Sequence, residues 1–121
     1  MQPTPARYLE TGDDADLPVI DAHHHIWDLA ANHHPWLSEE PPPPFRYGDS
    51  RPLRRTYMPA DYRRDAAGQN IVATVYMEAE HDPADPLRET RWVHEIAARD
   101  GLPDAMAGAV FLDQAGATAL I

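Results

Sequence analysis

Three short apolar runs, separated by polar or amphipathic segments, set the pattern of the chain. They are rich in β-branched residues, alanine and other apolar residues, which is typical of strands buried in a sheet. The predicted strands cover residues 17–25, 70–79 and 105–112. No run reaches the roughly 18 apolar residues that a membrane-spanning helix needs.

Two helices are predicted around the second strand, and a third helix-like segment follows the last strand at residues 113–121. Pro59 and Pro86 suit the first turn of a helix, whereas Gly68 and Gly101 suit the C-terminal cap. Asp85 can cap the longer helix. The two helices are expected at residues 59–67 and 85–100. The longer one carries an apolar stripe formed by Leu87, Val93, Ile96 and Ala97.

Strands that alternate with helices predict right-handed βαβ units and a parallel sheet, that is, an α/β fold. Three strands cannot close a (β/α)8 TIM barrel, which has eight strands and about 250 residues. Because the chain ends on an apolar tail, residues 17–121 are expected to form the first three βα units of a truncated barrel. Residues 1–16 are expected to be a flexible lead. The alternative is a complete, small open sheet.

The connection between the first strand and the first helix, residues 26–58, is long and proline-rich. A run of four prolines at 41–44 favours polyproline II structure and forbids a continuous helix. A linker or a ligand for a proline-binding module is one interpretation. Large apolar residues flank the run, however, and long loops in compact domains are often functional. A loop packed over a site is therefore the prediction favoured by Trp36, Leu37, Phe45 and Tyr47.

Composition and charge narrow the classes of partner. The formal net charge is −10, every basic residue is arginine, and cysteine is absent. An acidic chain is unsuited to nucleic-acid backbones and anionic membranes, and without cysteine neither disulfides nor Cys-ligated zinc can form. The N-terminus lacks the pattern of a signal peptide. A cytoplasmic protein that acts on a small molecule, alone or as a homo-oligomer, is expected.

Candidate chemistry lies at the end of the first strand, where the chain reads Asp21-Ala22-His23-His24-His25. Strand alternation would place Asp21, His23 and His25 on one face and His24 on the other, toward the helices. Two imidazoles about 6–7 Å apart on one face can hold a divalent metal, zinc by preference. Asp21 could orient a ligand or simply bond to backbone. The alternatives without a metal site are a purification tag and a solvated, histidine-rich loop.

The second strand adds a candidate at the same end of the sheet. Alternation would place Thr74, Tyr76 and Glu78 on one face, with the apolar residues 73, 75, 77 and 79 toward the helices. Glu78 would then reach the C-terminal mouth, where the active sites of barrels lie, and could bind substrate; a salt-bridged lining residue is the alternative.

Trp27 could wall the pocket or pack under the loop. Asp113 would end the third strand or cap the next helix. Weaker candidates are Glu80, His81, His33, His34 and His94.

The segment IDAHHHIWD resembles the opening signature of amidohydrolase-related (amidohydrolase 2) enzymes with a (β/α)8 barrel. More narrowly, it is similar to predicted metal-dependent hydrolases that include sugar lactonases, whose Asp-x-His-x-His-x-Trp pattern matches Asp21, His23, His25 and Trp27. The stretches HHPWL, YMPADYRRDA, VATVYMEA, ETRWVHEIA and GAVFLD follow in the same order as in that group. The resemblance covers residues 19–113.

The resemblance implies that His23 and His25 are metal ligands and that metal-activated water attacks a lactone, cyclic ester or amide carbonyl. A zinc-type ion lowers the pKa of its water to about 7, which makes this chemistry accessible at neutral pH. The family adds a His from a middle strand and an Asp from the last strand as ligand and general base, both expected beyond Ile121. A decarboxylase of an unsaturated acid, or an inactive fragment with half a metal site, are the alternatives.

Overall fold

A three-stranded parallel sheet with the order β1-β2-β3 is the frame of the molecule. A computed structural model describes residues 4–121. The strands are β1 (Val19–His24), β2 (Ile71–Met77) and β3 (Ala105–Ala107). The helices are α1 (Pro5–Thr11), α2 (Pro35–Ser38), α3 (Pro59–Asp65) and α4 (Pro86–Asp100). Single 3-10 turns occupy Asp14–Asp16, Arg51–Leu53 and Ala117–Ala119. The prediction of an α/β fold with parallel strands is therefore confirmed.

Helix α4 has the ends that its sequence predicts. Pro86 occupies the first turn, and Gly101 adopts a left-handed conformation (φ 72°) with its N–H bonded to the Ala97 carbonyl. Asp85 stands at the N-cap position, but its side chain makes no capping hydrogen bond. Helix α3 also begins at its proline, Pro59, and ends at Asp65, two residues earlier than predicted.

The core forms where α4 packs on the sheet. Val93 and Ile96 of the predicted stripe are buried against Tyr76 of β2 and Ile26, the residue that begins the long connection. A second buried cluster, Trp27, Leu37 and Ala79, lies under the connection itself. The long connection is thus part of the hydrophobic interior, which holds it against the C-terminal end of the sheet.

The third strand is shorter than predicted. β3 pairs with the last three residues of β2, from Val75↔Ala105 to Met77↔Ala107. Beyond Ala107 the chain has no strand partner within residues 4–121, and an apolar run without backbone partners does not form a strand. Asp113 accordingly lies in an exposed turn instead of at a strand end or a helix N-cap. The predicted helix at 113–121 is reduced to a 3-10 turn.

The lead is partly ordered as a short helix. Residues 1–3 lie outside the described residues. Helix α1 is capped by Thr4, whose side chain accepts from the Arg7 N–H. Arg7 forms an ion pair with the buried Asp16 (2.7 Å), and Thr11 donates to the same carboxylate at 2.9 Å. These bonds hold α1 close to the turn before β1. No helix in the described part of the chain is long and apolar enough to cross a membrane.

Candidate functional site

Two adjacent imidazoles mark the end of β1. His23 is exposed and His25 is half-buried, and their ring centroids lie 5.0 Å apart with the planes at 78°. At this separation two imidazoles can approach one ion from neighbouring coordination positions. The structure therefore brings together the two residues that the sequence predicts as metal ligands.

The hydrogen bond of His25 selects its tautomer. His25 Nδ1 lies 2.9 Å from the Met77 carbonyl oxygen, at the end of the neighbouring strand. Since a carbonyl only accepts, Nδ1 carries the proton and Nε2 keeps its lone pair. Metal-binding histidines commonly have this arrangement, in which the second ring nitrogen is anchored to backbone or carboxylate. His25 is thus oriented with the lone pair of Nε2 available to bind a metal ion.

A bulge in β1 changes which side chains share a face. Asp21 pairs with Thr74 and His24 pairs with Tyr76. Between these two pairs, β1 contains one residue more than β2. One extra residue in a strand reverses the alternation beyond it. Asp21 and His24 therefore lie on the same side, toward α3, and the prediction that Asp21 shares a face with His23 and His25 is wrong.

Asp21 bonds to α3 instead of orienting a metal ligand. Its Oδ2 accepts from the Tyr62 hydroxyl at 2.7 Å, and its Oδ1 accepts from the His23 backbone N–H at 3.1 Å. Burial alone would raise the pKa of Asp21, but these hydrogen bonds hold it below its usual value. The same contact raises the pKa of Tyr62, with burial as the larger cause.

His24 faces the helix layer, as expected, although the bulge places it on the same side as Asp21. Its ring lies 4.8 Å from that of Tyr62 and 6.1 Å from that of Tyr76. The side chain is buried, and burial lowers the pKa of its imidazole. His24 therefore packs between aromatic rings, and neither of its ring nitrogens has a hydrogen-bond partner among the described residues.

The side chains of β2 point to the opposite faces from those predicted. Tyr76 and Thr74 are buried, and the Tyr76 hydroxyl donates to Glu89 of α4 at 2.6 Å. The tyrosine ring fills the core between Ile26 and α4, where its polar end finds an acceptor. The half-buried apolar residues 73, 75 and 77 consequently lie on the face away from α4.

Glu89 was missed at the sequence level. It is 2% exposed, and its Oε1 accepts from both the Tyr76 hydroxyl and the Ala79 N–H (2.9 Å). These two bonds fix the turn that follows β2, just where Glu78 projects. A signal existed, because Glu89 stands four residues before Val93 and seven before Ile96, on the buried stripe of α4.

A cavity of about 740 Å³ opens beside His25. Glu78 and Trp27 line it together with His25, so three of the four predicted site residues meet there. His23 is not among the lining residues, although its ring contacts that of His25. Glu78 Oε2 accepts from the Glu80 N–H at 2.8 Å, which steadies the carboxylate. The outer wall comes from the long connection, through Trp36, Pro43, Pro44, Phe45, Arg46, Tyr47, Ser50 and Leu53.

The long connection is closed at its base and tied down in its middle. Trp27 and Tyr57 exchange two backbone hydrogen bonds of 2.9 Å, and the Trp27 indole donates to the Arg55 carbonyl at 2.6 Å. Trp36 donates to the Ala79 carbonyl at 2.9 Å and stacks on Phe45. The long connection packs over the cavity, and Trp27 both packs under this loop and walls the cavity.

The described residues contain no group of three or more His, Asp or Glu side chains placed to hold a metal ion. His23 and His25 by themselves are fewer than the three protein ligands usual for a catalytic zinc. The geometry provides two imidazoles, one of them oriented by a hydrogen bond, next to a cavity whose lining includes Glu78.

The chain is 37% identical over 94 residues to an uncharacterized protein, y4mH, of Sinorhizobium fredii. The match covers 78% of this chain but 31% of the relative, so the chain spans about a third of the length of the curated relative it matches. No family model and no solved structure matches the chain.

Proposed function

We propose that the chain carries the first part of the active site of a metal-dependent hydrolase of the amidohydrolase type, built on a (β/α)8 barrel. The substrate is a lactone, cyclic ester or amide, with a lactone favoured by the resemblance of the IDAHHHIWD segment. The observation that carries the proposal is the pair His23 and His25, 5.0 Å apart at the end of a parallel strand. Barrel enzymes place their chemistry at this end of the strands.

The chain's own residues fit a divalent metal of the zinc type. His25 offers Nε2 because its Nδ1–H is held by the Met77 carbonyl, and His23 offers an exposed imidazole beside it. When bound, such an ion supplies Lewis-acid activation of water and of the carbonyl under attack. The resemblance assigns a further histidine ligand and an aspartate base to later strands of the whole protein.

The remaining residues bind and orient the substrate. Trp27 and the aromatic wall of the loop exclude water from one side of the cavity. Glu78, with one oxygen held by the Glu80 N–H, keeps the other free to accept a hydrogen bond from a substrate hydroxyl or amide. Its position beside His25 suits a polyhydroxylated ring better than a purely apolar one.

The test is hydrolysis of a panel of sugar lactones by the whole protein, measured by proton release. We expect activity that is lost on exhaustive chelation and in the double variant His23→Ala/His25→Ala. His94→Ala is the matched control, because His94 is an exposed histidine on α4 that does not line the cavity. Activity that survives both chelation and the double variant would overturn the proposal, and carbon dioxide release without lactone hydrolysis would favour the decarboxylase.

A further inference from the structure

A second pair of histidines lies buried behind the loop. His34 is 1% exposed and His81 is 8% exposed, and their ring centroids are 5.4 Å apart with the planes at 88°. His34 immediately precedes α2, whereas His81 lies in the turn after β2. The Asp82 N–H donates to the His33 carbonyl at 3.0 Å and so holds the two segments together.

One ring nitrogen of this pair has a hydrogen-bond partner among residues 4–121, and the other three have none there. His34 Nδ1 lies 3.0 Å from the Ala79 carbonyl, which makes Nδ1 the protonated nitrogen and leaves a lone pair on Nε2. That Nε2 and both ring nitrogens of His81 have no hydrogen-bond partner in the described part of the chain. Buried polar atoms in proteins nearly always have a partner, and exceptions call for an explanation such as a bound ion.

The surroundings of the pair favour a cation. His81 lines a cavity of about 730 Å³ whose walls also carry four carboxylates and, within residues 4–121, no arginine. These carboxylates belong to Glu39, Glu78, Glu80 and Glu89. A cleft lined by one sign of charge concentrates ions of the opposite sign. The imidazoles separate this site from a plain acidic patch, because they are ligands for transition metals.

We propose that His34 Nε2 and His81 bind a divalent transition metal ion, of the class that includes zinc, nickel and copper, for which imidazole is a suitable ligand. His34 shows the same anchoring of its other nitrogen as His25, which is typical of metal-binding histidines. Since the described residues hold no group of three ligands, water or a cavity ligand completes the coordination. The ion joins the loop before α2 to the turn after β2, so it fastens the loop over the cavity that Glu78 shares.

Ring nitrogen chemical shifts test this site without any substitution. The untagged 121-residue chain, labelled with 15N, is titrated with zinc, and the histidine rings are followed by two-dimensional NMR. We expect the His34 and His81 ring nitrogens to shift together and saturably. Shifts confined to His23, His25 or the exposed histidines would overturn the proposal.

Two variants separate this site from the His23–His25 site. Competition with a chromophoric chelator should show that His81→Gln weakens one class of zinc binding by about ten-fold or more, a loss of the size seen for disrupted metal sites. The double variant His23→Ala/His25→Ala should retain that class, and His94→Ala should leave all binding unchanged. Circular dichroism confirms that each variant is folded. Unchanged zinc binding in folded His81→Gln would contradict the site, whatever the fate of the His23–His25 pair.

Discussion

The carboxylate of Glu89 shows how a single buried side chain shapes the end of a strand. Its Oε1 accepts two hydrogen bonds, from the Tyr76 hydroxyl and the Ala79 N–H, while the side chain is almost inaccessible. Hydrogen bonds to a charged group are stronger than those between neutral groups. They hold β2, its following turn and α4 in one arrangement, and Glu78 takes its position from that turn.

Removing the Tyr76 hydroxyl tests this network. Tyr76→Phe keeps the ring in the core but deprives Glu89 of one donor, so the free energy of unfolding should fall by about 1–3 kcal/mol. Urea denaturation measures the change. Tyr47→Phe is the matched control, because Tyr47 is 77% exposed and should cost almost nothing. Equal stability of the two variants would show that Glu89 does not depend on the hydroxyl.

Acid should weaken the fold through His34. Burial lowers the pKa of His34 from its ordinary value of 6.5, so the unfolded chain binds this proton more readily than the folded chain does. Stability from this group is complete above pH 6.5 and is lost as the pH falls below it, toward the folded-state pKa.

The measurement is urea unfolding at a pH of about 7.5 and of about 5.5 in the presence of a chelator, so that bound metal does not contribute. The free energy of unfolding should be smaller at the lower pH. His34→Gln should reduce this dependence, whereas His94→Gln should leave it unchanged. An equal pH dependence in both variants would contradict a role for His34.

At the scale of elements, the long connection behaves as a structural unit because its ends and its middle are bonded separately. The Trp27–Tyr57 bridge closes the base. Arg54 then holds the middle, since its guanidinium donates to the Leu37 and Glu39 carbonyls and pairs with Glu40. One arginine thus satisfies backbone groups that a proline-rich segment leaves without regular partners.

Loosening this arginine should open the loop. Arg54→Gln removes the guanidinium that donates to both carbonyls, so trypsin should cleave after the exposed Arg46 several-fold faster, as measured by mass spectrometry of timed digests. Arg99→Gln is the control, because Arg99 pairs only with its neighbour Asp100 within the described residues. Unaltered cleavage in Arg54→Gln would mean that the aromatic contacts alone hold the loop.

The starts of the helices were predicted correctly, whereas the faces of the strands were not. Both proline-led helices begin where expected, since a proline at the first turn is a local signal. The facing of β2 and the position of Asp21 could not be predicted. They depend on a bulge and on which side chain fills the space beside α4, and both are decided by neighbours distant in sequence.

At the scale of the whole molecule, the sheet leaves apolar surface uncovered. Ile20 is 62% exposed and Val72 is 55% exposed, although parallel sheets are usually covered on both faces. Such surface favours association with other molecules or other parts of a chain.

The isolated 121-residue chain should therefore self-associate as its concentration rises. Sedimentation velocity measures this, and Ile20→Thr should shift the equilibrium toward monomer. Leu9→Thr is the control, since Leu9 is also apolar and is 83% exposed but belongs to α1 and not to the sheet. A chain that stays monomeric at every concentration would contradict the expectation.

The α/β class, the parallel sheet and the closeness of His23 and His25 were predictable from the sequence alone, because hydrophobic periodicity, helix-end residues and a two-residue spacing are local properties. Packing of the whole chain sets the tautomer of His25, brings Glu78 and Trp27 to one cavity and places the ring of His34 against that of His81. Each of these depends on a contact across tens of residues, such as the bond from His25 to the Met77 carbonyl. Such contacts form through packing of the whole chain, and no local pattern specifies them.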